Sequence, residues 1–438
     1  MGFFIPMNKE ILRLALPNIL TNLSIPLVSL VDLSLMGHMP STSYIVAIGF
    51  GTVIFNFIYW AFGFLRMSST GLVAQAFGKN DLKAIRILLF RALFIAVFGA
   101  LLLIFLQAPI IKFALLIIQP DEAVVEPLLE YFNIRIWAAI ATISIYVLTG
   151  WLLGMQDSKS ALALSLVVNG VNALLSYSLV TYFGWGIKGV AWGTVIAQYV
   201  GFVVALLIIR YKYQIVLLKQ SFIWVKDRKA WGNFLGINSD IFIRTLCLIF
   251  AMSFFKTKAG NIDPILGAAN ILLLEFITIS AYGIDGFAFA AESISGKYFG
   301  IGMRSEFKKS INLTFRWGFG IATFLSLIFA FYGESLLYIL TDKLEVVQKA
   351  LIYLPWLIAA PIVNSFAFIW DGIYVGTTAS KTMRNTMLFA TLFVFLPTFY
   401  LSIYFWGNHG IWFAFSLFMF SRGVLLHFFA KQSIYSRI

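Results

Sequence analysis

Asp32 stands in an apolar run, Pro26-Leu-Val-Ser-Leu-Val-Asp32-Leu-Ser-Leu-Met-Gly37, six residues after a proline. Pro26 removes one helical hydrogen bond and crowds the preceding turn, which gives a helix here a place to bend. Burial disfavours a charged carboxylate. A bend that changes the exposure of Asp32 can therefore be linked to proton uptake. The other reading of Asp32 is structural, as a cap on a turn or a partner for an arginine of the same half. A second pattern lies in Asn169-Gly-Val-Asn172-Ala-Leu-Leu-Ser176, where steps of three and four put Asn169, Asn172 and Ser176 on one helix face. Such uncharged hydrogen-bonding groups can hold a protonated carboxylate or ordered water, and they serve equally as glue between membrane helices.

Further ionisable residues lie in apolar surroundings: Arg66, Arg135, Asp240, Arg244, Glu275, Asp285, Glu292 and Asp371. Each costs roughly 2.5–3.5 kcal/mol at the centre of a membrane helix, so each needs a reason. Arg66, Arg244, Asp285 and Glu292 suit a mutually neutralising intramembrane charge network. Asp371 is either a site for a cation or substrate or a charge partner of Arg244. His38, His409 and His427 are too scattered for a metal site, and the lone cysteine, Cys247, makes no framework. No G-x-x-x-x-G-K-[ST], H-E-x-x-H or G-x-S-x-G occurs. Gly283-Ile-Asp285-Gly has no evident second aspartate to form a proteolytic pair. The chain therefore reads as neither an enzyme nor a user of nucleotide or any other cofactor.

The elements that must position these residues follow from composition. Of 438 residues 61% are hydrophobic and 12% charged, and the mean hydropathy is +0.90. That composition leaves no surface for water and places the exterior in lipid. About 20 apolar residues span a bilayer, and on that measure the chain divides into twelve spans. They cover 11–36, 44–76, 87–108, 128–153, 161–182 and 187–209, then 235–256, 264–291, 313–333, 351–374, 386–405 and 410–430. The first span reads as a retained helix and not as a cleaved signal. The net charge of +13 is a topology signal and not a nucleic-acid footprint. Most of the 32 Lys and Arg fall on one side, Arg422, Lys431 and Arg437 being placed there at the C-terminal end. The positive-inside rule makes both termini cytoplasmic, in a cell's inner or plasma membrane.

The second half also repeats the first. Gly154-Met-Gln-Asp-Ser158-Lys159 returns as Gly376-Thr-Thr-Ala-Ser380-Lys381, and Val124-Val125…Tyr131 as Val346-Val347…Tyr353, both 222 residues on. Trp185-Gly186 returns as Trp406-Gly407 at 221, and Gly78-Lys79 is matched with Gly296-Lys297 at 218. Asp371 has no acid at its mate, Thr149. The repeat predicts an N-lobe at 1–210, a basic cytoplasmic linker at 211–232 and a C-lobe at 233–438. Six spans per half make the repeats parallel, with a site between them near the midplane.

On these residues the chain resembles the multidrug and toxic compound extrusion (MATE) family, in its DinF branch. The segments that carry the resemblance are Leu14-Ala-Leu-Pro17, Pro26 to Asp32 with Gly37-His38, and Gly63-Phe-Leu-Arg66 to Gln75. In the second half they are Asp240-Ile-Phe-Ile-Arg244-Thr, Asp285-Gly-Phe-Ala-Phe-Ala-Ala-Glu292 and Asp371-Gly-Ile. The resemblance implies twelve helices in two pseudo-symmetric six-helix bundles around a V-shaped cavity. It implies a monomer exporting small amphipathic, often cationic organic compounds in exchange for protons. Asp32 would couple the proton, Pro26 would be the hinge of helix 1, and Asn172 would help form the N-lobe pocket. One departure is that Ser176 stands where the family's N-x-x-L-D motif has its acid. Sodium coupling, through Asp371, is the alternative ion. A lipid or lipid-linked precursor flippase of the same superfamily is the alternative cargo, and a passive channel a more distant reading.

Overall fold

The computed structural model describes residues 6–37, 42–215, 227–260 and 263–438. His38 and residues 216–226 of the expected linker lie outside the described residues. The chain is helical: α1 (Met7–Gly37), α2 (Thr42–Ala61), α3 (Gly63–Gly78), α4 (Leu82–Phe105), α5 (Gln107–Ile118), α6 (Glu122–Arg135), α7 (Ala139–Gly154), α8 (Ser158–Thr181) and α9 (Gly186–Lys212). The second half holds α10 (Arg228–Gly260), α11 (Pro264–Ile301), α12 (Arg304–Leu340), α13 (Leu344–Gly376), α14 (Ser380–Phe389), α15 (Leu396–Trp406) and α16 (Asn408–Ser433). A 3₁₀ turn joins α6 to α7, and a π turn over Ala390–Phe395 joins α14 to α15.

Among the described residues eleven helical segments are long and apolar enough to cross a membrane, and α1, at 31 residues, also has the length. The helices outrun the apolar windows that predict them. α11 and α12 have 38 and 37 residues because polar residues continue a helix that hydropathy would end. Aspartates start several of them: Asp81, Asp157, Asp227 and Asp263 each accept from a backbone N–H three residues on, at 2.9, 3.3, 3.0 and 3.0 Å. The additional helix α5 follows α4 directly.

Two compact units make up the chain. The N-unit comprises Leu20–Val73 and Asp81–Gly232, and the C-unit Met1–Ile19, Ala74–Asn80 and Asn233–Ile438. In the N-unit α2 packs on α6, α4 on α7, and α9 on α6, α7 and α8. Gly150 and Gly154 of α7 meet the carbonyls of Arg66 and Thr70 on α3, so closely that a Cβ at either would overlap the facing helix.

In the C-unit α11 packs on α12 and α13, and α13 on α16. An aromatic core, with Phe255 against Trp412 at 4.9 Å and Phe395 against Phe418 at 5.4 Å, fills it. The start of α1 belongs here because Ile11, Leu14 and Ala15 bury against Phe287, Ala290 and Ile294 of α11. Glu10 accepts from Lys297 at 2.6 Å and from Tyr298 at 3.0 Å. The end of α3 belongs here too, with Gln75 donating to the Gly376 carbonyl at 2.8 Å.

The duplication is written into the backbone. Gly372 and Gly376 of α13 meet the carbonyls of Ala288 and Glu292 on α11, each residue 222 positions from its counterpart in the α7–α3 contact. Left-handed residues recur at the same interval: Asn80 (φ 55°) with Gly302 (φ 80°), and Gln156 (φ 62°) with Thr378 (φ 51°). Gly78 meets the carbonyl of Lys297 while Gly300 meets that of Gln75, a reciprocal crossing again at 222. This corrects the match of Gly78-Lys79 to Gly296-Lys297. The mate of Gly78 is Gly300, and Gly296 lies against Gly376 and Ala74, its own mate. Short identical dipeptides recur out of register, whereas close helix contacts preserve it.

Candidate functional site

Asp32 lies on α1 in the N-unit, two turns beyond Pro26, and α1 runs through that proline as one helix. Arg135 and Tyr131 of α6 and Ser176 of α8 lie within its electrostatic reach. Oδ1 of Asp32 is buried with no hydrogen-bond partner in the protein.

The face Asn169, Asn172, Ser176 holds together, but its members do different work. Asn169 donates to Ser24 of α1 at 2.8 Å, tying α8 to α1. Asn172 donates to Thr194 of α9 at 2.9 Å, while its Oδ1 stays buried and unpartnered. Ser176 is fully buried, and a Cβ on Gly193 would come within 2.7 Å of its Oγ. A serine fits that tight α8–α9 contact, and it stands where the family pattern has an acid.

The surprise in this pocket is Arg135, which the sequence shows only as one of several intramembrane arginines. Its Nη1 donates to the Tyr131 hydroxyl one turn back, and its guanidinium lies 4.9 Å from the Phe55 ring. Nε of Arg135 is buried without a partner. Tyr59 of α2 is 7% exposed with an unpartnered hydroxyl, beside Thr142, Tyr146 and Arg135. Gly51 leaves room for the Tyr131 ring, which a Cβ there would strike. The i, i+4 spacing of Tyr131 and Arg135 is the signal that could have pointed to the pair. Positions 222 residues on carry Phe254 for Asp32 and Leu357 for Arg135, so these two charges have no counterpart in the second half, although Tyr131 keeps Tyr353.

In the C-unit the charges regroup. Asp371, 5% exposed on α13, binds Arg244 of α10 and Arg422 of α16, both through Oδ2. Arg422 is 1% exposed in the middle of α16, which corrects its placement at a solvated C-terminal end. A lone arginine near a terminus mimics a flanking charge until its partner is seen. Asp285 lies within electrostatic reach of Arg422, and Glu292 is buried on the same helix. Arg66 belongs to the N-unit, where its charge reaches Tyr146. Of the residues expected in a charge network, Arg244 is held by Asp371, which Arg422 joins. Asp240 takes Arg384 at 2.5 Å and Ser380 at 2.8 Å.

A duplicated all-helical bundle, with carboxylates and arginines buried in its membrane spans, defines a polytopic membrane protein of the transporter kind. The chain belongs to the MatE family, whose model matches residues 17–178 and 245–401. It is 33% identical over 430 residues to DNA damage-inducible protein F of Escherichia coli (strain K12), covering 97% of this chain and 92% of that protein. It is 26% identical over 436 residues to the probable multidrug resistance protein NorM of Rhizobium meliloti (strain 1021), covering 95% and 91%. Among solved structures, the outward-facing conformation of a multidrug resistance MATE family transporter of the MOP superfamily superposes with a TM-score of 0.89, at 17% identity, over 98% of this chain and 96% of that one. A MATE crystal structure in the bent conformation gives 0.88, at 16% identity, over 98% and 96%. At such identities the structures establish the fold, and the sequence relatives place the chain in the DinF branch.

Proposed function

We propose that this chain is a proton-coupled antiporter that exports small amphipathic, often cationic organic compounds by alternating access. Asp32 is its coupling group and Pro26 the hinge of helix 1. The observation that carries this reading is the Asp32 carboxylate on α1, a half-buried acid with one oxygen enclosed and free of any protein partner. Such a group trades a proton against a cation in a site that opens alternately to each side. The names of the multidrug-resistance relatives support the substrate class. The C-unit supports the proton over sodium. Both arginines converge on Asp371, which leaves that carboxylate engaged, whereas Na⁺ wants open oxygen ligands. The same engagement argues against a flippase, since Arg244 and Arg422 are committed to Asp371 and not to a pyrophosphate. In this reading the chain works as a monomer with two lobes, at 1–210 and 233–438, and cytoplasmic termini in a plasma membrane.

Ethidium efflux from proteoliposomes tests it, with wild type beside Asp32→Asn under an imposed pH gradient, with and without Na⁺. Efflux driven by the pH gradient alone and abolished in a folded Asp32→Asn protein is the expected result. Normal transport by that variant, or transport only with Na⁺, would overturn it.

A further inference from the structure

Ser24 stands two residues before Pro26 on α1 and is 8% exposed. Its hydroxyl donates to the Thr21 carbonyl at 2.7 Å, accepts from Asn169 Nδ2 of α8 at 2.8 Å, and lies 3.3 Å from the Ser165 hydroxyl of the same helix. A hydroxyl has one hydrogen to give and two lone pairs. With its hydrogen spent on Thr21, Ser24 accepts from Ser165 as well, and every bonding position on this oxygen is filled. Two side chains one turn apart on α8 thus grip one atom of α1. The grip falls where α1 is soft. A serine that bonds back to a carbonyl of the preceding turn bends a helix. Pro26 removes the N–H that a helix would aim at the Asn22 carbonyl. As far as Ile19, α1 belongs to the C-unit, and from Leu20 it belongs to the N-unit, so Ser24 fastens α1 to α8 just inside the N-unit. The second half lacks all of this together. Positions 222 residues on carry Leu246 for Ser24, Met387 for Ser165, Thr391 for Asn169, Leu248 for Pro26 and Phe254 for Asp32. Thr391 donates within its own helix, to the Met387 carbonyl at 2.9 Å. The half that has the proline and the acid is the half that has the grip.

We propose that Asn169 and Ser165 anchor the hinge of α1 through Ser24, so that a bend at Pro26 moves the segment carrying Asp32 while the segment before the proline stays fixed on α8. A hinge transmits motion only when one of its arms is held. With the grip released, both arms share the movement, and a given change at Asp32 displaces its own segment less. Asn169 then touches neither proton nor substrate: it acts through Ser24 and is a positioning residue. This separates it from Asn172, three residues on, which bonds Thr194 of α9 and not α1. The inference rests on the export reading above, with Pro26 as the hinge.

The test uses the full chain, in proteoliposomes for ethidium efflux and in detergent for amide hydrogen exchange. Asn169→Leu and Ser24→Ala should each lower kcat for efflux by about tenfold, the rate equivalent of one hydrogen bond, with KM within about twofold of wild type. Ser24→Thr, which keeps the hydroxyl, should retain at least half of the rate. The double change should be no worse than the stronger single one, because both remove the same contact. In detergent, exchange of the amides at 20–25 should quicken in both variants, while that at 7–19, docked in the C-unit, stays as in wild type. Wild-type kcat in a folded Asn169→Leu protein would overturn the proposal. So would exchange that quickens equally along all of α1, which is the mark of a purely structural contact, or losses that add in the double variant. If Asn169→Leu does not fold, Ser24→Ala decides by the same measures. Failure of the export reading looks different: wild type then moves no ethidium, or Asp32→Asn transports normally, and the exchange at 20–25 still judges the anchor by itself.

Discussion

Arg422 donates to the same carboxylate oxygen of Asp371 that Arg244 reaches from α10, so one acid holds two buried cations. Removing one partner of a buried ion pair costs about 3–5 kcal/mol, because the remaining charge is left uncompensated, while replacing the whole group with apolar residues is often neutral. Asp371→Asn should therefore lower the thermal midpoint sharply in detergent. The triple change of Arg244, Asp371 and Arg422 to methionine should recover most of the loss. A triple variant no more stable than Asp371→Asn would show that the arginines have other tasks.

The contact of Gly372 with the Ala288 carbonyl allows no side chain. Gly372→Val must force α13 away from α11, and overpacking of this kind costs typically about 1–3 kcal/mol. Gly150→Val should cost a similar amount, through the Arg66 carbonyl. By contrast Gly320, where a Cβ meets nothing within 4 Å, should accept alanine with an unchanged melting curve.

Asp157 lies between the spans and accepts from Lys212 at 2.6 Å, Tyr213 at 2.7 Å and the Ser160 N–H at 3.3 Å. Burial pushes its carboxyl upward, but the hydrogen bonds from Lys212, Ser160 and Tyr213 outweigh it and leave the group below its ordinary value of 3.8. A depressed carboxylate contributes stability that is fully present above its unfolded value and is lost as pH falls through the folded one. Wild type should lose part of its stability below about pH 4. Asp157→Asn should be less stable at neutral pH and show a flatter acid limb. Melting curves from pH 3 to 7 check this, and parallel acid limbs would refute it.

Asn270, fully buried, donates to the Ala259 carbonyl at 3.0 Å and to Asn408 at 2.8 Å, and it accepts from Trp412 at 2.9 Å. Asn270→Leu strands those groups, at about 1–3 kcal/mol for each one left unsatisfied. A drop of several degrees in the thermal midpoint is expected. Asn408→Ala in addition should add less than its effect alone, since the two share one network.

The apolar spans, the duplication and Asp32 were legible because hydropathy, turn residues and an acid in lipid each leave a local mark. Arg135 as a neighbour of Asp32 was not legible. Its helix lies about 100 residues further on, and only the fold brings its charge within reach of Asp32. Arg422 was misread for a related reason, since it neighbours a charged terminus in sequence but Asp371 in space. Steps of three and four put Asn169, Asn172 and Ser176 on one face of α8. Periodicity does not say that Asn169 bonds α1 while Asn172 bonds α9. The extra α5 escaped because a short apolar helix merges into the span before it.

The reciprocal crossing of Gly78 on the Lys297 carbonyl and Gly300 on the Gln75 carbonyl has the form of an isologous contact, in which the same patch appears on both partners. A surface complementary to its own copy needs only one gene to begin with. A half-length chain with a single such glycine and a single facing carbonyl would meet its own copy through this same contact. Joined in one chain, the two copies need not be alike elsewhere: Asp32 and Arg135 stand in one half, Phe254 and Leu357 at the matching places of the other.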